Sequence, residues 1–253
     1  MKIEKFDSLE STNKYCEALD LAEVEDFTCY WALEQTAGIG QRGNRWESES
    51  GKNLTFSLVL HPTFLPADCQ FKLTESLSLA LADFLSSSPF HLSPSVKWPN
   101  DIYARMSSTI EGSEQRPCRK ICGTLVSARI KGTQIASAIC GIGLNVNQTL
   151  FPNWVPNPTS LALLTGKEYN PGFLLQQLLD RIEKRYSDLK NGLNPGPEYL
   201  DRLLNLGVPA RYIYNEEELT ATITGVDPHG RLLLTSSDGR RLSCGMKEIS
   251  FLL

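Results

Sequence analysis

A chain of 253 residues can bury a full core and has room for two domains, and its formal charge of −4 argues against a surface built mainly to hold nucleic acid. With 41% hydrophobic and 21% charged residues the composition is that of a globular protein, and no apolar run approaches the roughly 20 residues that span a bilayer. Seven cysteines, an odd number without C-x-x-C spacing, argue against a disulfide framework or a metal site and read as reduced thiols; with no signal peptide in Met1–Asp7, the expected location is the cytoplasm.

The chain opens on a short strand, Ile3 to Phe6, and Ser11 then stands as the N-cap of a helix whose apolar side is Tyr15, Ala18, Leu19 and Ala22. A strand-like run from Tyr30 to Leu33 leads into a glycine-rich loop, and a second, Leu54 to Leu60, leads out of it. Between them the chain reads Q-T-A-G-I-G-Q-R-G-N-R-W-E-S-E-S-G-K-N from Gln35. Gly38, Gly40 and Gly43 spell G-x-G-x-x-G, but a dinucleotide site needs a helix to begin there, and here a polar segment and a strand follow. Gly51-Lys52 suggests a phosphate-binding P-loop, but Trp46 and Asn53 stand where that motif needs Gly and Ser or Thr. An ordinary hairpin loop would explain the glycines and leave Arg42, Arg45 and Trp46 unexplained. Together these offer backbone N–H groups and guanidinium to an anion and a flat face to a ring.

After His61-Pro62 the helical spacing of Leu73, Leu77, Ala80, Leu81 and Phe84 predicts a helix over Gln70–Ser87. Pro99 interrupts what would otherwise be a strand from Ser95 to Tyr103, so a bulge or strand end is expected there, and the polar stretch Met106 to Arg119 reads as a mobile loop. Lys120–Ile130 and Thr133–Ile142 are strands around Lys131-Gly132, apolar on both faces as in the middle of a sheet covered by helices on one side. Gln148 to Thr159, with three prolines, is a loop. Asn170-Pro171 starts a long helix that buries Leu174, Leu178, Ile182 and Leu189 and ends at Asn191-Gly192. A short helix, Pro197 to Leu206, stops at Gly207. Five short strands follow, Val208–Tyr214, Leu219–Val226, Arg231–Thr235, Arg240–Ser243 and Glu248–Leu252, which suggest a small barrel serving as a structural or docking module.

Four signals recur in a fixed order: Ser11-Thr12-Asn13; the loop from Gln35 to Trp46; Lys97-Trp98-Pro99-Asn100-Asp101; and Arg119-Lys120-x-x-Gly123 with Gly141-x-Gly143-x-Asn145. Singly each is weak, since Ser11-Thr12-Asn13 caps a helix and a lone strand lysine is usually solvated. In this order and spacing the chain resembles the biotin–protein ligases over nearly its whole length, and the Lys-Trp-Pro-Asn-Asp pentapeptide is the most specific piece. The resemblance implies an α+β fold: a mixed, largely antiparallel sheet covered by helices, like class II synthetases, over residues 1–206, then a small C-terminal β-barrel over residues 207–253. No room stands before Ser11 for the DNA-binding helix-turn-helix of some members. The expectation is therefore a single-function ligase, binding neither DNA nor membrane, as a monomer or homodimer.

The implied reaction has two steps. Biotin's carboxylate attacks the α-phosphate of ATP, and a lysine of a biotin carboxyl carrier protein then takes the biotinyl group from biotinyl-5′-AMP. Biotin and ATP with Mg2+ are substrates, and no cofactor is permanently bound. The resemblance makes Lys120, Arg42, Arg45 and Asp101 catalytic, since two anions meet in the first step and need fixed positive charge. It places Ser11, Thr12, Asn13, Gln35, Gly38, Gly40, Lys120, Gly123 and Gly141 against biotin, whose polar but uncharged head needs neutral partners when buried. Gln41, Arg42, Trp46, Lys97, Asn100, Lys120 and Asn145 fall to ATP and the adenylate. The sequence departs from the family at Ile39 and Gln41, where basic residues are usual, at Thr124 and Ser127, and in the length of the stretch Met106–Arg119. The alternatives are a lipoate– or octanoate–protein ligase or transferase of the same architecture, and a non-catalytic biotin or adenylate sensor.

Overall fold

A computed structural model describes residues 1–106, 117–246 and 248–252, with the side chain of Arg42 outside that description. The larger sheet has seven strands: β1 (Lys2–Leu9), β2 (Thr28–Gln35), β3 (Leu54–Leu60), β4 (Leu92–Lys97), β5 (Asp101–Met106), β6 (Arg119–Lys131) and β7 (Gln134–Leu144). Their order in space is β1-β2-β3-β7-β6-β5-β4. β1 runs parallel to β2 and the remaining neighbours pair antiparallel, the mixed, largely antiparallel sheet expected. β7 is the central strand, and its neighbour β3 is buried at every position.

Among the described residues five helices cover it: α1 (Thr12–Glu17), α2 (Phe71–Ser86), α3 (Leu161–Thr165), α4 (Pro171–Lys190) and α5 (Gly196–Asp201). α2 packs on α4, α5 and the sheet, and its Leu77, Leu81 and Phe84 belong to the main core. α1 packs on the other face against β3 and β7, where Cys16, Leu21, Tyr30, Val59 and Ile139 form a smaller core. Asn170 caps α4 by accepting from Phe173 N at 3.2 Å, with Pro171 at the first position as expected. Among the described residues no helix is long and apolar enough to cross a membrane.

The second sheet comprises β8 (Pro209–Tyr214), β9 (Glu217–Val226), β10 (Leu232–Ser236), β11 (Arg241–Cys244) and β12 (Ile249–Phe251) in the order β11-β10-β9-β8-β12. The expected barrel is built as this five-stranded antiparallel sheet. Its Tyr212, Ile223 and Leu234 join the main core, and Trp98 Nε1 donates to Gly230 O at 3.1 Å across the junction. Gly230, at φ +83°, leaves room there for the Phe71 ring.

Three expectations, on α1, α5 and β6, need correction. α1 stops at Glu17 and not at Ala22, because Asp20 Oδ1 takes Ala22 N at 3.1 Å and His61 Nε2 meets Leu21 O at 2.8 Å, turning the chain out of the helix. The strand end expected at Pro99 is present and is the turn of a hairpin: β4 and β5 pair with Lys97 opposite Asp101, around a cis Trp98–Pro99 peptide. α5 ends at Asp201 because the next residues pair with the edge of β4, Val96 N donating to Arg202 O at 2.7 Å and Leu204 N to Val96 O at 2.8 Å. The second half of β6 is largely exposed, since β5 pairs with β6 no further than Gly123. Residues 107–116 of the expected mobile loop lie outside the described residues.

Candidate active site

Strand alternation puts every second residue of β3 and β7 on the α1 face. The register lines these up in rows across the sheet. Tyr30, Ser57, Gly141 and Leu125 form one row. Ala32, Thr55, Gly143, Gly123 and Asp101 form the next. A Cβ on Gly141 would strike the Asn13 carboxamide, and one on Gly143 the Trp46 indole. The bare strand lets side chains from above reach the sheet's backbone.

Over the first row lies a closed, uncharged polar pocket. Ser11, Thr12 and Asn13 are 2%, 2% and 5% exposed. Ser11 occupies the N-cap position of α1 but makes no side-chain cap bond, so its hydroxyl is not used on the helix. Gln35 Oε1 accepts from Thr12 N at 2.7 Å and from Thr12 Oγ1 at 3.1 Å. The one hydroxyl proton of Ser57 faces two acceptors, Thr12 Oγ1 at 2.7 Å and Asn13 Oδ1 at 2.5 Å. Asn13 Nδ2 is buried with no partner among the described residues. A buried donor without a partner is costly, and a ligand acceptor at this point would satisfy it.

The charged part of the site sits over the second row. Between β5 and β6 the register slips, so that Ile102 faces Cys122 and Tyr103 faces Lys120, with Ile121 as the extra residue. This bulge turns Lys120 onto the same face as Gly123, which strict alternation would forbid. Lys120 Nζ lies 2.7 Å from Asp101 Oδ1 and 5.7 Å from the centre of the Trp46 ring. Lys97 Nζ lies over the rings of Phe251, at 5.0 Å, and Tyr103, at 5.9 Å. Asn100 is 5% exposed and donates through Nδ2 to Thr124 O, so it braces the pentapeptide turn against β6 as well as facing the cavity. Burial pushes the Cys122 thiol and the Tyr103 phenol upward, so neither supplies a nucleophile.

Two loops close the site. In the glycine loop Ile39 bridges to Arg45 around a 3-10 turn, Gln41–Gly43, and Trp46 N donates to Gly38 O at 2.9 Å. Arg45 Nε lies 3.3 Å from Glu47, a half-exposed pair that a stronger anion can displace. Gln41 Nε2 reaches Met246 Sδ at 3.6 Å. From the second loop, Asn157 O accepts from Lys120 N at 2.8 Å, and Thr159 N donates to Lys120 O at 2.8 Å. Trp154 on this loop is 55% exposed.

These walls bound two neighbouring cavities. The first, about 600 Å³, takes in Ser11, Thr12, Asn13, Gln35, Gly40, Gln41, Arg45, Trp46, Lys97, Asn100, Asp101, Lys120, Gly123 and Gly141, nearly the whole expected set. The second, about 620 Å³, is lined by Asn145, Phe151 and Trp154, and shares Trp46, Arg45 and Lys120 with the first. Asn145 donates to Thr159 O at 2.9 Å, while its buried Oδ1 has no partner among the described residues. Gly38 lines neither cavity; it packs within the loop, where a Cβ would be 2.6 Å from Trp46 O. The Arg42 guanidinium lies outside the described side chains. Sequence reasoning missed Leu125 on the floor, Ser57 beneath Thr12 and Asn13, and Arg211 and Ile249–Leu252 of the second sheet on the rim. A serine in the middle of a largely apolar strand signals Ser57; nothing local signals the others.

The model of the biotin/lipoate A/B protein ligase family matches residues 5–145, more than half of the chain. The bifunctional ligase/repressor BirA of Bacillus subtilis is 28% identical over 240 residues, covering 92% of this chain and 69% of the relative. The biotin–[acetyl-CoA-carboxylase] ligase of Mycobacterium tuberculosis is 27% identical over 211 residues, 80% of this chain and 71% of that one. The solved biotin protein ligase of Aquifex aeolicus, in complex with biotin and ATP, shares the fold with a TM-score of 0.78 at 24% identity, over 99% of this chain and 98% of that one.

Proposed function

The chain belongs to the biotin/lipoate A/B protein ligase family, and from that premise we propose that it activates biotin with ATP as biotinyl-5′-AMP and passes it to a lysine of a biotin carboxyl carrier protein. The observation that carries the choice of acyl group is the pocket of Ser11, Thr12, Asn13, Gln35 and Ser57. Its neutral donors and acceptors suit a buried ureido ring, whereas a dithiolane or an alkyl chain would leave the buried Asn13 Nδ2 donor unpaired.

In this reading biotin's head fills the closed end over Gly141, and its carboxylate reaches Lys120. The α-phosphate of ATP meets the same ammonium from the second cavity, where Asn145 and Trp154 face the nucleoside. Lys120 thus sits where both anions converge and stabilises charge in both half-reactions. Asp101 orients it and is freed as the carboxylate and phosphate take its place. Arg42 and Arg45 hold the phosphate from the loop. Mg2+ arrives on the phosphates of ATP; among the described residues no group of three His, Cys, Asp or Glu gathers to hold a resident ion. Residues 1–206 form the catalytic unit and 207–253 a smaller one that contributes to the rim, and the enzyme works in the cytoplasm.

Pyrophosphate exchange into ATP with biotin or lipoate, followed by transfer of label to a carrier domain, tests this. Exchange and transfer with biotin alone are expected. Lipoate-dependent exchange would establish the other acyl group, and binding without exchange would establish a sensor.

A further inference from the structure

Both loops over the site stand on one buried pair of amides. Asn53 closes the glycine loop just before β3, and Gln148 opens the loop that runs to Thr159; they are 1% and 3% exposed. Asn53 Nδ2 donates to Gln148 Oε1 at 2.5 Å and lies 3.2 Å from Ser48 Oγ. Gln148 Oε1 also accepts from Glu49 N at 3.0 Å, and Gln148 Nε2 donates to Leu150 O at 2.9 Å. Asn53 Oδ1 accepts from Val146 N at 2.9 Å. Each side-chain polar atom of the pair is therefore bound to the foot of one loop or to the other amide. Neither residue lines either cavity. A fully satisfied polar cluster in a dry place is stiff, since losing one bond strands the remaining partners.

We propose that Asn53 and Gln148 are positioning residues that make the two loops order as one body. A ligand that fixes the glycine loop then fixes residues 149–157 as well, though it does not touch them. This rests on the reading of the first cavity as the biotin chamber and the second as the nucleotide chamber. Biotin alone would ready Phe151 and Trp154 for ATP, and ATP would tighten biotin by the same factor.

Hydrogen exchange of the full chain, with and without saturating biotin, tests the coupling. In the wild type, biotin is expected to slow exchange in residues 36–47 and also in 149–157. In Gln148→Leu it should protect 36–47 only, and KM for ATP should rise roughly tenfold while kcat for pyrophosphate exchange stays within about twofold. Gln148→Glu, which keeps the acceptor for Glu49 N and Asn53 Nδ2 but loses the donor to Leu150 O, should fall between the wild type and the leucine variant in both behaviours. If the leucine variant does not fold, Gln148→Met keeps the side chain's length and loses its hydrogen-bonding end. Protection of 149–157 by biotin in the apolar variants would overturn the proposal, as would its absence from the wild type when 36–47 is protected. A wild type in which biotin protects neither loop would count against the biotin reading itself.

Discussion

Gly141→Ala isolates the part of the site that side chains cannot supply. Gly141 lies within β7 and carries no positive φ, so alanine suits its backbone and, in open space, would stabilise by about 0.4–1 kcal/mol. Here the new Cβ would lie 2.8 Å from Asn13 Cγ and 2.9 Å from its Nδ2, and closer still to Oδ1. Asn13 must retreat by roughly 1 Å, in a core where overpacking costs about 1–3 kcal/mol. Its retreat also breaks the bond to Ser57, for about 1 kcal/mol more. The net loss is about 2 kcal/mol, which lowers the thermal midpoint by roughly 4–8 °C in a chain of this size. A 1 Å displacement of a binding group costs up to about a hundredfold in rate, so kcat/KM for biotin should fall by roughly ten- to a hundredfold. Differential scanning calorimetry and pyrophosphate exchange read the two effects. Asn13→Ala is the control, because it vacates the space. If Gly141→Ala costs the same stability in that background, the Asn13 carboxamide is not the obstacle and the geometry of the closed end is misread.

Lys120→Ala should reduce adenylate formation by several orders of magnitude while circular dichroism remains that of the wild type; near-normal exchange would remove Lys120 from the chemistry. Gln41→Arg adds a guanidinium at the cavity rim and should slow release of preformed biotinyl-adenylate roughly ten- to a hundredfold in a chase with unlabelled adenylate. Burial raises the Glu75 carboxyl to about 7 from an ordinary 4.5. Between those values the folded chain keeps a proton that the unfolded chain has lost, so stability falls by about 3 kcal/mol as pH rises across the window. Glu75→Gln should flatten urea midpoints between pH 5 and 8. Arg185 clamps α4 to α2 and α5 through Asp83 at 2.7 Å and Glu198 at 2.6 Å. Arg185→Met should cost about 2 kcal/mol in urea unfolding, less than a fully buried pair because Glu198 is partly exposed, and leave KM for biotin unchanged.

What could be read from the chain was whatever local pattern dictates. The helical spacing over residues 70–87, the Asn-Pro start of α4 and the strand-turn rhythm after Gly207 all correspond to observed elements within a few residues. Elements decided by a distant partner were misread: α5 ends where β4 claims its backbone, and α1 ends where Asp20 and His61 do. The site followed the same division. Ser11, Thr12, Gln35, Lys120 and Gly141 stand in recognisable motifs and meet in one cavity. The bulge that aims Lys120 depends on the register of two strands, and sequence does not carry register. Trp98 belongs to the most specific motif, yet its indole reaches away to Gly230 and joins the two sheets.

The floor of the site is backbone, at Gly123, Gly141 and Gly143, while the Arg45 guanidinium stands on a loop. Admission and residence are therefore separate dials. A library confined to residues 41–45 would yield variants that leak their intermediate at different rates yet accept the same acid, because none of the positions varied belongs to the ring's seat. Broadening the choice of acid requires changes at Ser11, Thr12, Ser57 or Leu125, where the seat is made. A leaky variant of that first kind would label lysines on whatever protein stands nearby, without losing its selectivity for what it activates.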